Sequence, residues 1–89
     1  MYAIEYLTSV VKSDIPKLSS PIKKRIKKAI EEKLEQDPIG FGKPLRYSLK
    51  SHRRLRVGDY RVVYRIEPSK KIVLIVAIKH CKKIYAEEI

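Results

Sequence analysis

Hydrophobic and polar residues alternate on both sides of the segment Val57-Gly58-Asp59-Tyr60. Because Gly58 can take the positive φ of a type I′ or II′ turn, the pattern predicts a β-hairpin over residues 52–66. In this register Arg56 lies opposite Arg61, and successive side chains point to opposite faces. The predicted core face carries Val57, Leu55, Tyr60, Val62 and Tyr64, with Arg53 at its far end. The predicted charged face carries His52, Arg54, Arg56, Arg61, Val63 and Arg65.

The N-terminal half shows one strand pattern followed by two helix patterns. Alternation over residues 2–6 predicts a short first strand. A short helix towards Asp14 should follow, and Pro16 should end it because the residue before a proline avoids the α conformation. Apolar residues then recur at helical spacing over residues 21–36, after Ser20 as the cap, and predict a longer second helix.

The C-terminal half completes a predicted sheet. Residues 39–44 form a loop rich in turn formers, and residues 45–49 are interpreted as a strand. The near-continuous apolar run 71–79 predicts a strand at the centre of the sheet, with a short helical turn after His80. We therefore expect one α+β domain over residues 1–89, a small antiparallel sheet with two N-terminal helices packed on one face. The charged hairpin face would lie on the side without helices, open to a ligand.

The charged face is costly for the fold, because Arg56 and Arg61 form a like-charge pair across the two strands. One interpretation is a solvated strand face in a basic protein. The alternative is an anion site, since guanidinium groups are permanently charged and grip phosphate with two parallel hydrogen bonds. We favour the phosphate-binding interpretation, because it accounts for both the residue type and the unfavourable pairing.

Composition narrows the class of partner. The chain has 89 residues, a net charge of +11 and a pI near 9.9, which predicts attraction to nucleic acid, an anionic membrane or an acidic protein. Its single cysteine and the lack of a signal-peptide pattern suggest the reducing cytoplasm. The apolar run 72–78 is too short to span a bilayer, so no membrane partner is expected. No Cys or His spacing is typical of zinc, so no metal or other cofactor is expected.

A second basic surface is predicted on the longer helix. Its N-terminal half carries Lys23, Lys24, Lys27 and Lys28, where the helix dipole disfavours positive charge. A solvated helix face is the commoner explanation for such a run. The functional alternative is that these lysines contact phosphate groups.

Four segments resemble the RelE/ParE toxin superfamily of bacterial and archaeal toxin–antitoxin modules: LEQDP, GKPLRYSLK, RVGDYRVVY and HCKKIY. The resemblance covers essentially the whole chain and implies a RelE-like α+β fold, similar to microbial ribonucleases. RelE-type members enter the ribosomal A site and cleave the bound mRNA, whereas ParE-type members inhibit DNA gyrase. Both types are neutralised by an antitoxin that wraps around the toxin, and operator DNA is contacted only through that complex.

The resemblance also implies roles for individual residues. Arg61 matches the arginine that contacts the scissile phosphate, and Tyr85 matches a C-terminal catalytic tyrosine. His52 and Arg54 stand where RelE-type members place lysines.

Cys81 departs from the family pattern, because many relatives have an arginine there that helps to neutralise the reacting phosphate. Either the activity is reduced, or another cation such as Lys82 or Arg65 takes the place of the family arginine, or Cys81 marks a naturally weakened or altered toxin. Since the position follows the buried strand, we expect it at the rim of the open face, with room for an arginine.

RNA cleavage through its own 2′-hydroxyl needs a proton acceptor, a proton donor and positive charge on the phosphate, but no metal. Arg61, with Arg54 and Arg56 beside it, would supply the charge. The acid–base candidates are His52, His80 and Tyr85. Each also has a purely structural interpretation.

Three functions are therefore compared. The first is a type II toxin that cleaves mRNA on the ribosome and is neutralised by a RelB-like antitoxin with an acidic segment. The second is a ParE-like gyrase inhibitor without chemistry, and the third is a degenerate toxin kept for RNA or antitoxin binding. His52, Arg61 and Tyr85 favour the first function, and Cys81 favours the third.

Overall fold

A computed structural model describes residues 1–45 and 51–82. Its sheet has five strands in the order β1-β5-β4-β3-β2. The strands are β1 Ala3–Tyr6, β2 Lys43–Pro44, β3 Arg53–Val57, β4 Tyr60–Glu67 and β5 Ile72–His80. β1 runs parallel to β5, and the remaining neighbours are antiparallel. The α+β class is confirmed, but the sheet is mixed because the helices carry the chain from β1 back across the sheet.

β4, rather than the apolar strand β5, occupies the middle of the sheet. β5 is nonetheless paired on both sides, with β1 and β4. An apolar run indicates burial on both faces of a strand, and this does not distinguish the middle position from the one beside it.

The first helical segment extends further than Pro16 was expected to allow. A π-helical stretch Val10–Asp14 passes into a 3-10 turn Ile15–Lys17. Pro16 lies in the first positions of that turn, where the missing backbone N–H removes no hydrogen bond from the helix.

The longer helix lies where the pattern predicts it. Helix α1 spans Ser20–Ala29 and continues as a π-helical stretch Ile30–Leu34. Its N-cap is Ser19 rather than Ser20, and the Ser19 side chain makes no capping hydrogen bond.

The predicted loop over residues 39–44 contains regular structure at both ends. Helix α2, Pro38–Phe41, is a single turn capped by the Asp37 side chain, which accepts a hydrogen bond from the Gly40 N–H at 3.0 Å. β2 follows, and the Leu45 N–H donates to the His52 carbonyl at 2.9 Å. The rest of the strand predicted over residues 45–49 lies outside the described residues.

The helices pack on one face of the sheet around a shared hydrophobic core. From the helical side the core takes Val10, Leu18, Ile26, Ile30 and Leu34. From the sheet it takes Leu55, Val62, Tyr64, Val73, Ile75 and Ile78. The hairpin side chains assigned to the core face therefore do face the helices, and the arginine positions alternate with them.

Candidate phosphate-binding site

Three cations on adjacent strands lie side by side across the sheet. Arg56 on β3 is the register partner of Arg61 on β4, and Arg61 is the partner of Lys79 on β5. Neighbouring strands are about 4.8 Å apart, so the three Cα atoms fall within about 10 Å. We call Arg56, Arg61 and Lys79 the basic row. The hairpin register, including Gly58 at φ 60°, is the predicted one.

Lys79 reaches this face because of a β-bulge that the sequence analysis missed. The β4–β5 register shifts between Val63 and Tyr64, so that Val63 pairs with Ala77 while Tyr64 pairs with Ile75. One extra residue in β5 reverses the faces of the residues beyond it. Without the bulge, Lys79 would point towards the helices. The apolar run hides this signal, because it has no polar alternation from which a bulge can be detected.

The basic row is graded in depth. Arg61 is only 6% exposed, while the Arg56 and Lys79 side chains are 62% and 30% exposed. Arg56 interacts with its own turn, since its Nε donates to the Gly58 carbonyl at 2.8 Å. The row therefore presents one deep guanidinium between two more accessible cations, and Arg61 is less open to solvent than expected.

Asp14 holds the β5 end of the row. The carboxyl group is 6% exposed, and its Oδ1 lies 2.9 Å from Lys79 Nζ. Its Oδ2 accepts a hydrogen bond from the Ile78 backbone N–H at 2.9 Å. β1 pairs with β5 only as far as Ile75, so the helical segment carrying Asp14 covers the next part of that edge.

Other predicted phosphate ligands surround the basic row at greater distance. Arg54 shares the Arg56 face of β3, and its Nη1 donates to the Pro44 carbonyl at 3.1 Å. Arg65 is four residues along β4 from Arg61, about 13 Å away, and its Nη2 lies 3.6 Å from Glu67 Oε1. His52 immediately precedes β3 and is half-buried, and its backbone carbonyl accepts the hydrogen bond from the Leu45 N–H.

His80 does not join this group. It pairs with Tyr60, and the two rings meet edge to face with centroids 5.3 Å apart. Tyr60 packs against the core, so His80 lies on the helix side of the sheet, opposite to Arg61. Its Nδ1 accepts a hydrogen bond from the Lys82 backbone N–H at 3.3 Å. The same bulge that moves Lys79 to the row therefore moves His80 away from it.

Cys81 is not at an open rim. The residue is 7% exposed, and its N–H donates to the Asp59 carbonyl at 2.8 Å. The expectation of room for an arginine is therefore wrong. Lys82 is exposed, and Tyr85 lies outside the described residues.

The four helix lysines form a separate surface. Helix α1 packs on the core face of the sheet, opposite to the basic row, and Lys24 and Lys28 are exposed there. Lys23 and Lys27 border an apolar groove of about 430 Å³ that is also lined by Tyr6. Burial, followed by the nearby Glu31 and Glu35 carboxylates, raises the pKa of Tyr6.

Arg53, the charged residue of the core face, has a structural role. Its Nη2 donates to the carbonyls of Ile39 and Gly42 at 2.8 and 3.0 Å. The buried Tyr64 hydroxyl donates to the Pro38 carbonyl at 2.6 Å. Burial raises the pKa of Tyr64, although the Arg53 guanidinium opposes part of that shift. Together these bonds hold α2 and the start of β2 against the hairpin.

Residues 1–45 and 51–82 contain neither a cluster of metal ligands nor a membrane-spanning helix. In that part of the chain, no three His, Cys, Asp or Glu side chains lie close enough to hold a metal ion. None of the helices described there is long and apolar enough to cross a membrane.

Several known proteins are similar to this chain in sequence and in fold. The family described as "ParE toxin of type II toxin-antitoxin system, parDE" matches residues 6–85. Toxin RelG of Mycobacterium tuberculosis is 31% identical over 84 residues, covering 94% of this chain and 95% of that protein.

Two solved structures are also similar. One is the toxin–antitoxin complex RelBE2 of Mycobacterium tuberculosis, with a TM-score of 0.81 and 30% identity over 89% of this chain and 96% of that chain. The other is the isolated Escherichia coli RelE toxin, with a TM-score of 0.72 and 26% identity over 99% of this chain and 95% of that chain. The chain therefore belongs to the RelE/ParE family of toxins of type II toxin–antitoxin systems.

Proposed function

We propose that this toxin is an endoribonuclease that cleaves mRNA in the ribosomal A site. The observation that carries the proposal is the basic row, in which Arg56, Arg61 and Lys79 occupy facing positions on three adjacent strands. Like charges in facing positions destabilise a sheet, and an anion bound across the row would offset that repulsion. A phosphodiester that becomes more negative in its transition state is such an anion.

The proposed reaction is an attack by the ribose 2′-oxygen on the adjacent phosphorus. The 2′-hydroxyl loses its proton, a bond from the 2′-oxygen to phosphorus forms, and the bond to the 5′-oxygen breaks as that oxygen gains a proton. The products are a 2′,3′-cyclic phosphate and a 5′-hydroxyl. Arg61 stabilises the charge on the non-bridging oxygens, in a nearly buried position where electrostatic interactions are strong.

For proton transfer we propose His52 and Tyr85. The alternation of the hairpin sequence predicts His52 on the arginine face, and histidine is the side chain best suited to proton transfer near neutral pH. His80 is the weaker candidate of the two histidines because its ring packs on Tyr60 on the other side of the sheet. Arg54 and Arg65 are proposed to contact phosphates along the mRNA on either side of the cleaved bond, as Lys82 would from the exposed turn after β5.

The proposed partners are the ribosome with its mRNA and a cognate antitoxin. With a net charge of +11, the toxin attracts an acidic segment that would lie across the basic row and block it. The similar RelBE2 structure is that of a toxin–antitoxin complex. We further propose that the toxin acts in the cytoplasm, where ribosomes are found, and contacts operator DNA only through the antitoxin complex.

A second candidate is inhibition of DNA gyrase without chemistry. It is favoured by the description of the matching family as ParE toxins. The buried Cys81 is compatible with this alternative, since it contributes no charge to a reacting phosphate.

The test is to incubate the purified toxin with ribosomes programmed with a defined mRNA and to map the new 5′ ends. A parallel assay measures supercoiling by gyrase at the same toxin concentrations. Cuts within the A-site codon that disappear when ribosomes are omitted would support the proposal. Intact mRNA together with inhibited supercoiling would reject it in favour of the ParE-like activity.

A further inference from the structure

We propose that Lys79 is a further phosphate-contacting residue of this site, and that Asp14 is the residue that positions it. The expected effect of Lys79 on the rate of mRNA cleavage rests on the proposed function. Its expected effect on RNA affinity does not depend on cleavage.

The strand register turns position 79 to the face of Arg61. A lysine at position 79 would face the helices if β5 were regular, and the bulge opposite Val63 and Tyr64 turns it to the face of Arg61. Bulges are often found next to active sites, where they redirect a side chain. Here the redirected residue is a third cation in register with two arginines, and each like charge added in a facing position favours the binding of an anion.

Asp14 holds the Lys79 ammonium in place. A lysine ammonium normally sits on a flexible stem, and ordering it at a ligand costs conformational entropy. The Asp14 carboxylate is itself fixed by the Ile78 backbone N–H, and it holds Lys79 Nζ at 2.9 Å. The ammonium has three donors, so one can remain on Asp14 while another is directed at a phosphate oxygen. Lys79 is therefore partly ordered before the ligand arrives.

A purely structural interpretation must also be weighed. In that view the ion pair only fastens the first helical segment to the edge of β5. The hydrogen bond from the Ile78 N–H to Asp14 already makes this connection without Lys79. A structural clip predicts a loss of stability when Lys79 is removed and no effect on the binding of anions. The two interpretations therefore differ in what a Lys79 variant does to RNA binding.

The binding test measures affinity for a short single-stranded RNA across a range of salt concentrations. Lys79→Met should weaken binding and lower the slope of log affinity against log salt by about 0.7, the share of one phosphate contact on a single strand. Lys70→Met is the matched control, because Lys70 is exposed in the turn at the other end of β5. If Lys79→Met and Lys70→Met have the same slope as the wild type, the inference is overturned.

The catalytic test uses single-turnover cleavage on programmed ribosomes. Lys79→Met should slow cleavage by about tenfold, less than the roughly hundredfold loss of a donor aimed directly at the reacting oxygen. Lys79→Arg should recover part of the rate because it keeps the charge. If the wild type cleaves and Lys79→Met cleaves equally fast, Lys79 has no role in the reaction while the proposed function stands.

The positioning role of Asp14 needs a variant pair. Asp14→Asn keeps an oxygen that accepts a hydrogen bond, whereas Asp14→Ala removes it. A positioning role predicts that Asp14→Ala lowers the RNA salt slope as far as Lys79→Met does, and that Asp14→Asn keeps most of it.

The melting temperature of each variant is measured to establish that it is folded. If Asp14→Ala does not fold, the double variant Asp14→Asn with Lys79→Met decides, since it should bind RNA no worse than Lys79→Met alone. An additional loss in the double variant would contradict positioning through Lys79. Should the wild type fail to cut mRNA, the proposed function fails and the binding test still decides the role of Lys79.

Discussion

Arg56 and Arg61 lie directly opposite each other on β3 and β4, yet Arg61 is only 6% exposed while the Arg56 side chain is 62% exposed. The deep partner has little access to the water that would screen its charge. The exposed partner is the one whose charge can be removed without leaving a buried cavity. A single substitution at Arg56 can therefore measure both what the basic row contributes to RNA binding and what it costs the stability of the fold.

Arg56→Gln should therefore stabilise the fold and weaken RNA binding at once. Removing a like-charge neighbour of Arg61 should raise the free energy of unfolding by about 0.2–1 kcal/mol. Two exposed contacts are lost, the ion pair with Asp59 at 4.0 Å and the hydrogen bond to the Gly58 carbonyl, and because both lie in solvent they subtract little. Urea unfolding gives the first quantity, and RNA titration gives the second.

The control is Arg65→Gln, on the neighbouring strand and the same face of the sheet. Arg65 pairs with Leu74 rather than with a cation, so its removal should not raise stability. A lower unfolding free energy for Arg56→Gln than for the wild type would mean that the like-charge pair is already compensated in the absence of RNA.

Tyr64→Phe tests the attachment of α2. The Tyr64 hydroxyl is buried and donates to the Pro38 carbonyl at 2.6 Å, so its loss leaves that carbonyl without this donor and should cost about 1–3 kcal/mol. Gly42 matters for the same contact, because a Cβ there would overlap the Tyr64 hydroxyl. Urea unfolding at neutral pH measures the loss, and a change below about 0.5 kcal/mol would show that this hydrogen bond adds little.

The raised pKa of Tyr64 gives this residue a pH signature. Burial favours the neutral phenol in the folded state, so its contribution is complete below the ordinary pKa of 10.0 and falls as the pH rises above it. The wild type should therefore lose stability more steeply than Tyr64→Phe above pH 10.0. Parallel curves for the two proteins would contradict the raised pKa.

Cys81→Arg tests the packing around position 81. Cys81 is 7% exposed, so an arginine there must either bury its charge or displace neighbouring residues. We expect a lower melting temperature and no gain in cleavage, with Cys81→Ala as the control that removes the thiol without adding volume. A stable Cys81→Arg variant that cuts mRNA faster would show that the position opens towards the phosphate.

The structure shows which parts of the fold were accessible from the sequence. The hairpin register was predictable because Gly58 and the alternation around it are local signals, and they fix Arg56 opposite Arg61. The faces of Lys79 and His80 were not, since the bulge lies in an apolar strand where no alternation reports it. The burial of Arg61 was also missed, because alternation assigns a face without measuring depth. Pro16 misled for a different reason: proline ends an α-helix but is tolerated at the start of a 3-10 turn.

The most direct test of the central claim is the single-turnover rate of mRNA cleavage on programmed ribosomes by wild-type toxin and by Arg61→Ala. Arg61 lies between Arg56 and Lys79 in the basic row and is the deepest of the three. Melting temperatures of both proteins establish that the variant is folded. The account predicts that a folded Arg61→Ala cleaves at least about tenfold more slowly, corresponding to about 1.4 kcal/mol of transition-state stabilisation. An unchanged rate in the folded variant would contradict the claim that the basic row binds the reacting phosphate.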